Sequence, residues 1–174
     1  LAKNAGFTHD DIHVAPMAPP EMIQAFAAKR IDGFAMSLPW TLLPTVEGTA
    51  VMVASGPDGD TLGLDPFANT VVATKPETCA AKPKLCEAVG KTFVETSAWM
   101  HAHPDEAEAL LKKRFPTLDP KVFHASFQTE LKITANPPRP TAKGVENTDN
   151  YNIKAGLMKP EDKLKDYSKL FTDK

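Results

Sequence analysis

Short apolar segments alternate with helical patterns over the first 75 residues of the chain. The apolar segments are rich in the β-branched, aromatic and methionine side chains of buried strands, and they occupy residues 12–16, 31–36, 50–55 and 69–74. Between the first two, Met22, Ile23 and Phe26 recur at the spacing of one helix face. A shorter helix, cut by Pro44, is expected before the third. Strands that alternate with helices over short connections predict a mostly parallel sheet.

The pattern becomes helical beyond residue 75. Apolar residues at helical spacing, with prolines at the expected starts, predict helices over residues 83–103, 104–115, 119–131, 141–155 and 160–171. Asp119 precedes Pro120 as a capping residue precedes the first residue of a helix. Residues 135–140 form a proline-rich linker, and Gly156 separates the last two predicted helices.

Composition limits the class of protein. The 174 residues are 42% hydrophobic and 24% charged, which suits one domain or two small units that share a core. We assign residues 1–75 to an α/β unit and residues 76–174 to a helical unit. No apolar run approaches the ~20 residues of a membrane-spanning helix. The net charge of −2, without a block of either sign, argues against nucleic acid or an anionic membrane as the main partner.

The N-terminal stretch LAKNAGFTHDD lacks the basic and apolar segments of a signal peptide. Leu1 and Ala2, followed by Asn4 and Gly6, are typical of the end of a helix. We therefore expect the chain to be a truncated or processed one.

Cys79 and Cys86 are the two cysteines of the chain. In an uninterrupted helix their Cα atoms would lie ~10 Å apart, beyond the ~7 Å that a disulfide tolerates. Pro83 disfavours a helical conformation at Lys82, so the chain can bend between them. The pattern favours a disulfide over two unrelated thiols, and a disulfide favours an oxidising compartment.

Motifs for covalent or metal chemistry are weak in this sequence. The AVGKT stretch resembles the end of a phosphate-binding loop, but that motif needs a glycine five positions before Gly90, where the chain has Leu85. His101 and His103 lie on opposite sides of a helix end without a third ligand at a fixed spacing. His124, next to phenylalanines, is interpreted as a packed helix residue. We therefore predict no catalytic residue, no metal and no cofactor.

The ends of the first two predicted strands are the best candidates for a ligand site. In an open parallel sheet, ligands bind beyond the carboxyl ends of the strands, where the backbone N–H groups of the next helices favour anions. An equally good interpretation is that Trp40 belongs to the core and that the prolines only begin helices. The candidates are Met17, Pro19, Glu21, Ser37, Pro39 and Trp40.

Residues 5–48 resemble the periplasmic solute-binding proteins of ABC importers, in the NMT1/THI5-like group that includes sulfonate, taurine, nitrate and thiamine-precursor binders. The stretches VVATKPE, AWMHAHPDEAEALL and AGLMKPEDKLKDY extend the resemblance over essentially the whole chain. The residues that carry it in the first stretch are Gly6, Asp11, Ile12, Ala25, Phe26, Ile31, Asp32, Gly33 and Pro39. Where sulfonate-binder-like members have a tryptophan and an acid before the proline, this chain has Ser37 and Leu38.

The resemblance implies a lobe of the type II periplasmic-binding-protein fold, with a helical C-terminal region that returns to a first lobe absent from this sequence. A small solute would bind between the two lobes and pass to a membrane permease, without an enzymatic reaction. Ser37 would donate or accept a hydrogen bond, and Trp40 would form an apolar or stacking wall. The resemblance also implies a periplasmic or lipid-anchored location, and either the missing lobe or self-association would cover the apolar helix faces.

Two other functions remain open at this stage. Pyrimidine-precursor synthases of thiamine biosynthesis share the fold, but they would need a reactive site rich in histidine or cysteine. A ligand-sensing regulatory module is the third possibility. The sequence does not identify the solute, because sulfonates, nitrate, pyrimidines and aromatic acids are all compatible with one visible wall.

Overall fold

The computed structural model describes residues 5–60, 64–68 and 70–171, and its regular elements in this part of the chain are all helical. The α-helices are α1 (Pro19–Ala27), α2 (Leu42–Val46), α3 (Pro76–Ala81), α4 (Pro83–Ala102), α5 (Pro104–Lys112), α6 (Pro120–Ile133) and α7 (Ala142–Lys154). Short 3₁₀ turns occupy His9–Asp11, Gly56–Asp58, Pro160–Asp162 and Ser168–Leu170. None of the helices in these ranges has the length and hydrophobicity of a transmembrane segment.

The predicted parallel sheet, and with it the predicted type II lobe, is wrong. Residues 12–16, 31–36, 50–55 and 70–74 contain no strand, and Asn69 lies outside the described residues. A strand needs a hydrogen-bonded neighbour, whereas a helix satisfies its own backbone. The apolar pattern indicates segments that are suited to strands, but no described segment provides the hydrogen-bonded neighbour that a strand needs.

Helix starts follow the sequence closely. Proline occupies a first-turn position of α1, α3, α4, α5 and α6, where its missing N–H has no helical partner to lose. The Asp119 carboxylate caps α6, because it accepts hydrogen bonds from the backbone N–H groups of Lys121 at 2.8 Å and Val122 at 3.1 Å. The Thr141 hydroxyl caps α7 through the N–H of Gly144 at 3.0 Å. The Asp119 cap is thus confirmed.

Replacing Asp119 by alanine should lower the free energy of unfolding by about 1 kcal/mol, because two first-turn N–H groups lose their acceptor. Asp119→Asn keeps an acceptor oxygen and should cost only a few tenths of that amount. Urea unfolding followed by circular dichroism measures both. Equal losses in the two variants would show that the side chain does not act as a cap.

Several helix predictions need correction in detail. Residues 160–171 do not form a helix but two separate 3₁₀ turns. Pro44 does not cut α2; it is buried in the first turn, where the helix does not use its N–H. Gly156, with φ of +74°, follows the end of α7 as predicted. The helix end predicted at residues 1–6 falls largely on residues outside the described ranges.

The hydrophobic core lies between α4, α5 and α6. Ala107, Phe123 and Phe127 are its buried residues, and it is lined by the partly buried side chains of Trp99, Met100, Leu118 and Leu131. The helix α2 and the Gly56–Asp58 turn both pack against α6. A second set of contacts joins α7 to residues 66–68 through side-chain hydrogen bonds. The last turns of α4 therefore contact the core through Trp99 and Met100, while its N-terminal half exposes Leu85 and Val89.

The Cys79–Cys86 disulfide is confirmed. Helix α3 ends at Ala81 and α4 begins at Pro83, so the chain turns at Lys82 and brings the two Cα atoms to 5.6 Å. Proline at the start of α4 is the local reason for this turn, as the sequence indicated.

Candidate functional site

Three of the sequence candidates, Ser37, Pro39 and Trp40, lie in a tight turn at residues 37–40, directly before α2. The Trp40 N–H donates to the Ser37 carbonyl at 3.2 Å, and the Leu42 N–H donates to the Pro39 carbonyl at 3.0 Å. The Leu38–Pro39 peptide is cis. Because α2 packs on α6, this turn is fixed to the helical body at its C-terminal end.

Within this turn, polar and apolar groups have different exposures. Ser37 is exposed, and its hydroxyl makes no hydrogen bond to the described part of the chain. Pro39 and Trp40 are partly buried, so part of the indole surface remains accessible. A single turn that carries a free hydroxyl and a partly buried aromatic side chain is suited to a small solute that has both a polar group and a flat apolar surface.

The remaining candidates surround the start of α1. Pro19 is the first residue of this helix, and Met17 and Pro19 are partly buried while Glu21 is exposed in the first turn. The Met22 N–H already donates to the Ala18 carbonyl at 2.9 Å. Pro19 and Pro20 have no N–H, so Glu21 provides the one free donor among the first four residues of α1.

The same shortage of donors is found at α2, which changes the expected ligand chemistry. The Leu42 N–H is used by the Pro39 carbonyl, and Pro44 has no N–H. Anion sites at helix starts depend on several free N–H groups pointing the same way. These observations weaken the expectation that the two helix starts favour anions. At the 37–40 turn, the Ser37 hydroxyl is then the group that would form a hydrogen bond with a solute.

One aromatic contact links the two groups of candidates. The rings of Phe26 in α1 and Phe34 before the 37–40 turn meet edge to face, with centroids 5.3 Å apart. Within the described residues, no hydrogen bond or ring contact joins Met17, Pro19 or Glu21 directly to Ser37, Pro39 or Trp40. The common edge expected from adjacent strands required the sheet, which is not present. The six residues remain candidates for a ligand site, but no sheet edge brings the two groups together.

Shallow grooves lie elsewhere on the described surface. One is lined by Asp10, Ile12, His13 and Val14. The other lies between α7 and the C-terminal segment and is lined by Glu146, Pro160, Glu161, Lys163, Leu164, Lys165 and Tyr167. Small-molecule sites enclose most of the surface of their ligand. Neither of these open grooves does so, and the 37–40 turn lines neither of them.

A polar network that the sequence pattern did not reveal holds the C-terminal segment on α7. The Lys163 ammonium donates to Asn150 Oδ1 at 2.8 Å and to Glu146 Oε1 at 3.3 Å. The Tyr167 hydroxyl donates to Asp149 Oδ2 at 2.8 Å. Hydrogen bonds from Lys143 and then Lys163 lower the pKa of the Glu146 carboxyl. The i, i+3, i+4 spacing of 146, 149 and 150 was the available signal, but nothing in the sequence showed what this face would meet.

The Tyr167 phenol reports directly on this network. Burial, then the Asp149 hydrogen bond and the charges of Asp149 and Glu146, raise its pKa to about 12. Because the folded state favours the neutral phenol, this contribution to stability is complete below the ordinary pKa near 10 and is lost as the pH rises through the folded value. Stability should therefore fall between these two pH values.

The chain has two tyrosines, so the Tyr151→Phe variant makes Tyr167 the only phenol. Ultraviolet titration of this variant should show phenolate formation with a pKa of about 12. The Tyr167→Phe variant is the control, and it should lose the fall in stability that begins near pH 10. A Tyr167 midpoint at the ordinary value would contradict the network.

Several other polar side chains in the described part form hydrogen bonds or ring contacts within the chain. The buried Asn147 side chain donates to the Pro66 carbonyl at 2.9 Å, and the buried Ser97 hydroxyl donates to the Ala135 carbonyl at 2.9 Å. His124 is exposed rather than packed, which corrects the sequence interpretation, and its Nδ1 lies 2.9 Å from Glu108 Oε1. His103 stacks on Trp99 with ring centroids 5.6 Å apart. Within the described residues, no group of three potential metal ligands comes together.

Comparison with known proteins provides one finding. The family model described as NMT1-like matches residues 2–113 of the chain. Neither a curated protein nor a solved structure matches it.

Proposed function

Because the chain belongs to the NMT1-like family, we propose that it is the solute-binding component of an ABC-type importer. This family includes both solute-binding proteins and THI5-like synthases. The component captures a small aromatic or anionic molecule and delivers it to a membrane permease. The observation that carries the proposal is the 37–40 turn, which holds the free Ser37 hydroxyl and the partly buried Trp40 side chain and is closed by the hydrogen bond from the Trp40 N–H to the Ser37 carbonyl.

The chemistry of this turn favours an aromatic solute with a hydrogen-bonding group. Stacking on an aromatic ring contributes about 0.5–1.5 kcal/mol beyond the area that it buries. The hydroxyl of Ser37 both donates and accepts, so it accommodates a sulfonate, a carboxylate or a ring nitrogen. The proline-rich starts of α1 and α2 offer few backbone donors. A bare inorganic anion such as nitrate is therefore a less favoured solute than an aromatic one.

A second wall is needed, because the turn covers only one side of a solute. We assign this wall to a second lobe supplied by further polypeptide. Ligand binding favours the closed arrangement only to the extent that the ligand contacts both lobes when they are closed. Without that lobe, affinity should be weak.

The location that fits this function is the periplasm. A Cys79–Cys86 disulfide persists in oxidising compartments and is rare in the cytosol. The bridge therefore supports an oxidising compartment for this chain.

A thermal-shift screen tests the function. The full-length protein, with both lobes, is heated with sulfonates, nitrate, pyrimidines and aromatic carboxylates in turn, and a ligand at 100 times its Kd adds about 2.7 kcal/mol of stability. We expect one aromatic class to raise Tm, with the ligand recovered unchanged. Absence of any shift across the four classes would count against solute binding, whereas consumption of the ligand would identify the synthase alternative.

A further inference from the structure

The chain exposes far more surface than a folded monomer of its mass. Its accessible surface is 13348 Å², whereas a compact protein of 18.9 kDa exposes about 8,300 Å². The excess of about 5,000 Å² on one chain is larger than the roughly 1,000–2,500 Å² that each partner typically contributes to a permanent interface. A large part of this surface is therefore available for a stable protein contact.

The 50–55 segment, AVMVAS, contains the two most exposed large hydrophobic side chains among the described residues. Val51 and Val53 are 84% and 90% exposed, and Met52 between them is also exposed. Within the described chain, the backbone groups of residues 51–54 make no hydrogen bond. The segment also has no charged residue and no proline, which are the features that normally protect exposed edges from pairing.

Both ends of this segment are already fixed to the helical body. At one end, the Ala50 N–H donates to the Pro44 carbonyl of α2 at 3.1 Å. At the other end, the Ser55 N–H donates to Asp60 Oδ2 at 2.8 Å, and the Lys132 ammonium of α6 lies 2.6 Å from Asp58 Oδ1. Anchored ends reduce the conformational entropy that pairing would cost. The bend at Val53 is the part that would have to straighten.

We propose that the 50–55 segment pairs antiparallel with the same segment of a second copy of this chain. In this arrangement Met52 lies opposite Met52 of the partner subunit, and Val51 lies opposite Val53 of the partner subunit. Residues directly opposite in an antiparallel pair share one face, so four valines would pack together while the free backbone groups bond across the two-fold axis. This dimer is independent of the solute proposed above.

A second copy fits this surface for reasons of charge and symmetry. The segment is neutral and the whole chain carries a net charge of only −2, so two copies repel each other weakly. The stretch Val51, Met52 and Val53 reads the same in both directions. An antiparallel copy therefore places valine opposite valine and methionine opposite methionine. Helix α4 also exposes Leu85, Val89 and Phe93 along one face, but nothing in its surroundings indicates what covers that face.

Light scattering after size exclusion tests the dimer. At micromolar concentration the wild type should have twice the 18.9 kDa chain mass. The Val51→Lys/Val53→Lys variant places like charges directly opposite each other and should raise the dimer Kd at least about tenfold. The control is Leu157→Lys, at a residue that is 75% exposed outside the segment, and it should leave the dimer intact. The substituted valines are exposed, so circular dichroism should show all variants folded.

Cross-linking tests the register. Opposed residues in an antiparallel pair have Cα atoms about 4.5–5.5 Å apart, which a disulfide can span. Among described residues the native cysteines are both bridged, so Met52→Cys adds a single free thiol that should cross-link two copies under mild oxidation. Leu157→Cys is the matched control and should not. A monomer, a large polydisperse assembly, a dimer unaffected by the lysines, or a Met52→Cys variant that cross-links no better than the control would each overturn the proposal.

Discussion

Replacing Phe127 by alanine is expected to lower the free energy of unfolding by about 3–5 kcal/mol. Phe127 is only 6% exposed and lies in the cluster where α5 and α6 meet, beside Ala107 and Phe123. The substitution removes a buried ring and leaves a cavity that the surrounding helices fill only in part. The described core holds few buried residues, so no neighbouring core is available to compensate.

Phe93→Ala is the matched control, because it is the same substitution at a residue of α4 that is 50% exposed. It should cost less than about 1 kcal/mol, since exposed substitutions usually change stability little. Chemical unfolding at one fixed protein concentration measures both variants, which keeps any dimer contribution constant. Similar losses for Phe127→Ala and Phe93→Ala would mean that the core is not where the structure places it.

The second large effect is expected for solute binding. Trp40→Ala should weaken binding of the solute found in the thermal-shift screen by about 2 kcal/mol, or roughly thirtyfold, as is typical of an aromatic anchor in a binding site. The ring is partly buried and its turn is closed by two backbone hydrogen bonds, so little conformational entropy is lost on binding. Trp40→Phe retains a stacking surface and should lose less. Isothermal titration calorimetry measures the three affinities.

A fluorescence control separates a local effect from a global one. The chain has two tryptophans, and Trp99→Phe leaves Trp40 as the only indole. Solute should then change the emission of the Trp99→Phe protein and leave that of Trp40→Phe unchanged. If the reverse holds, the solute contacts the α4 region rather than the 37–40 turn.

Features that depend on near neighbours in sequence could be predicted. Asp119 caps α6 because its carboxylate reaches N–H groups two and three residues ahead, and no distant residue takes part. The Cys79–Cys86 bridge follows from a proline that turns the chain between the two cysteines. The proline-started helices follow for the same local reason.

Features that depend on distant partners could not be predicted in this way. Val51 and Val53 have the side chains of a strand, but strand formation needs a second segment, which the described chain does not supply. The contact of Asn147 with the Pro66 carbonyl spans 81 residues, and Lys163 meets α7 from beyond its end. For the candidate site, residues 37–40 form a turn before α2 rather than the exit of the expected strand, and their predicted neighbours depended on the sheet.

The position of the bound solute tests the central claim most directly. A structure of the protein with its solute should place solute atoms within about 4 Å of both Ser37 and Trp40, the distance of direct contact. The Ser37 hydroxyl should then have the hydrogen-bond partner that it lacks in the free chain. A solute whose nearest atoms lie more than about 8 Å from both residues, or two contact shells away, would contradict the account.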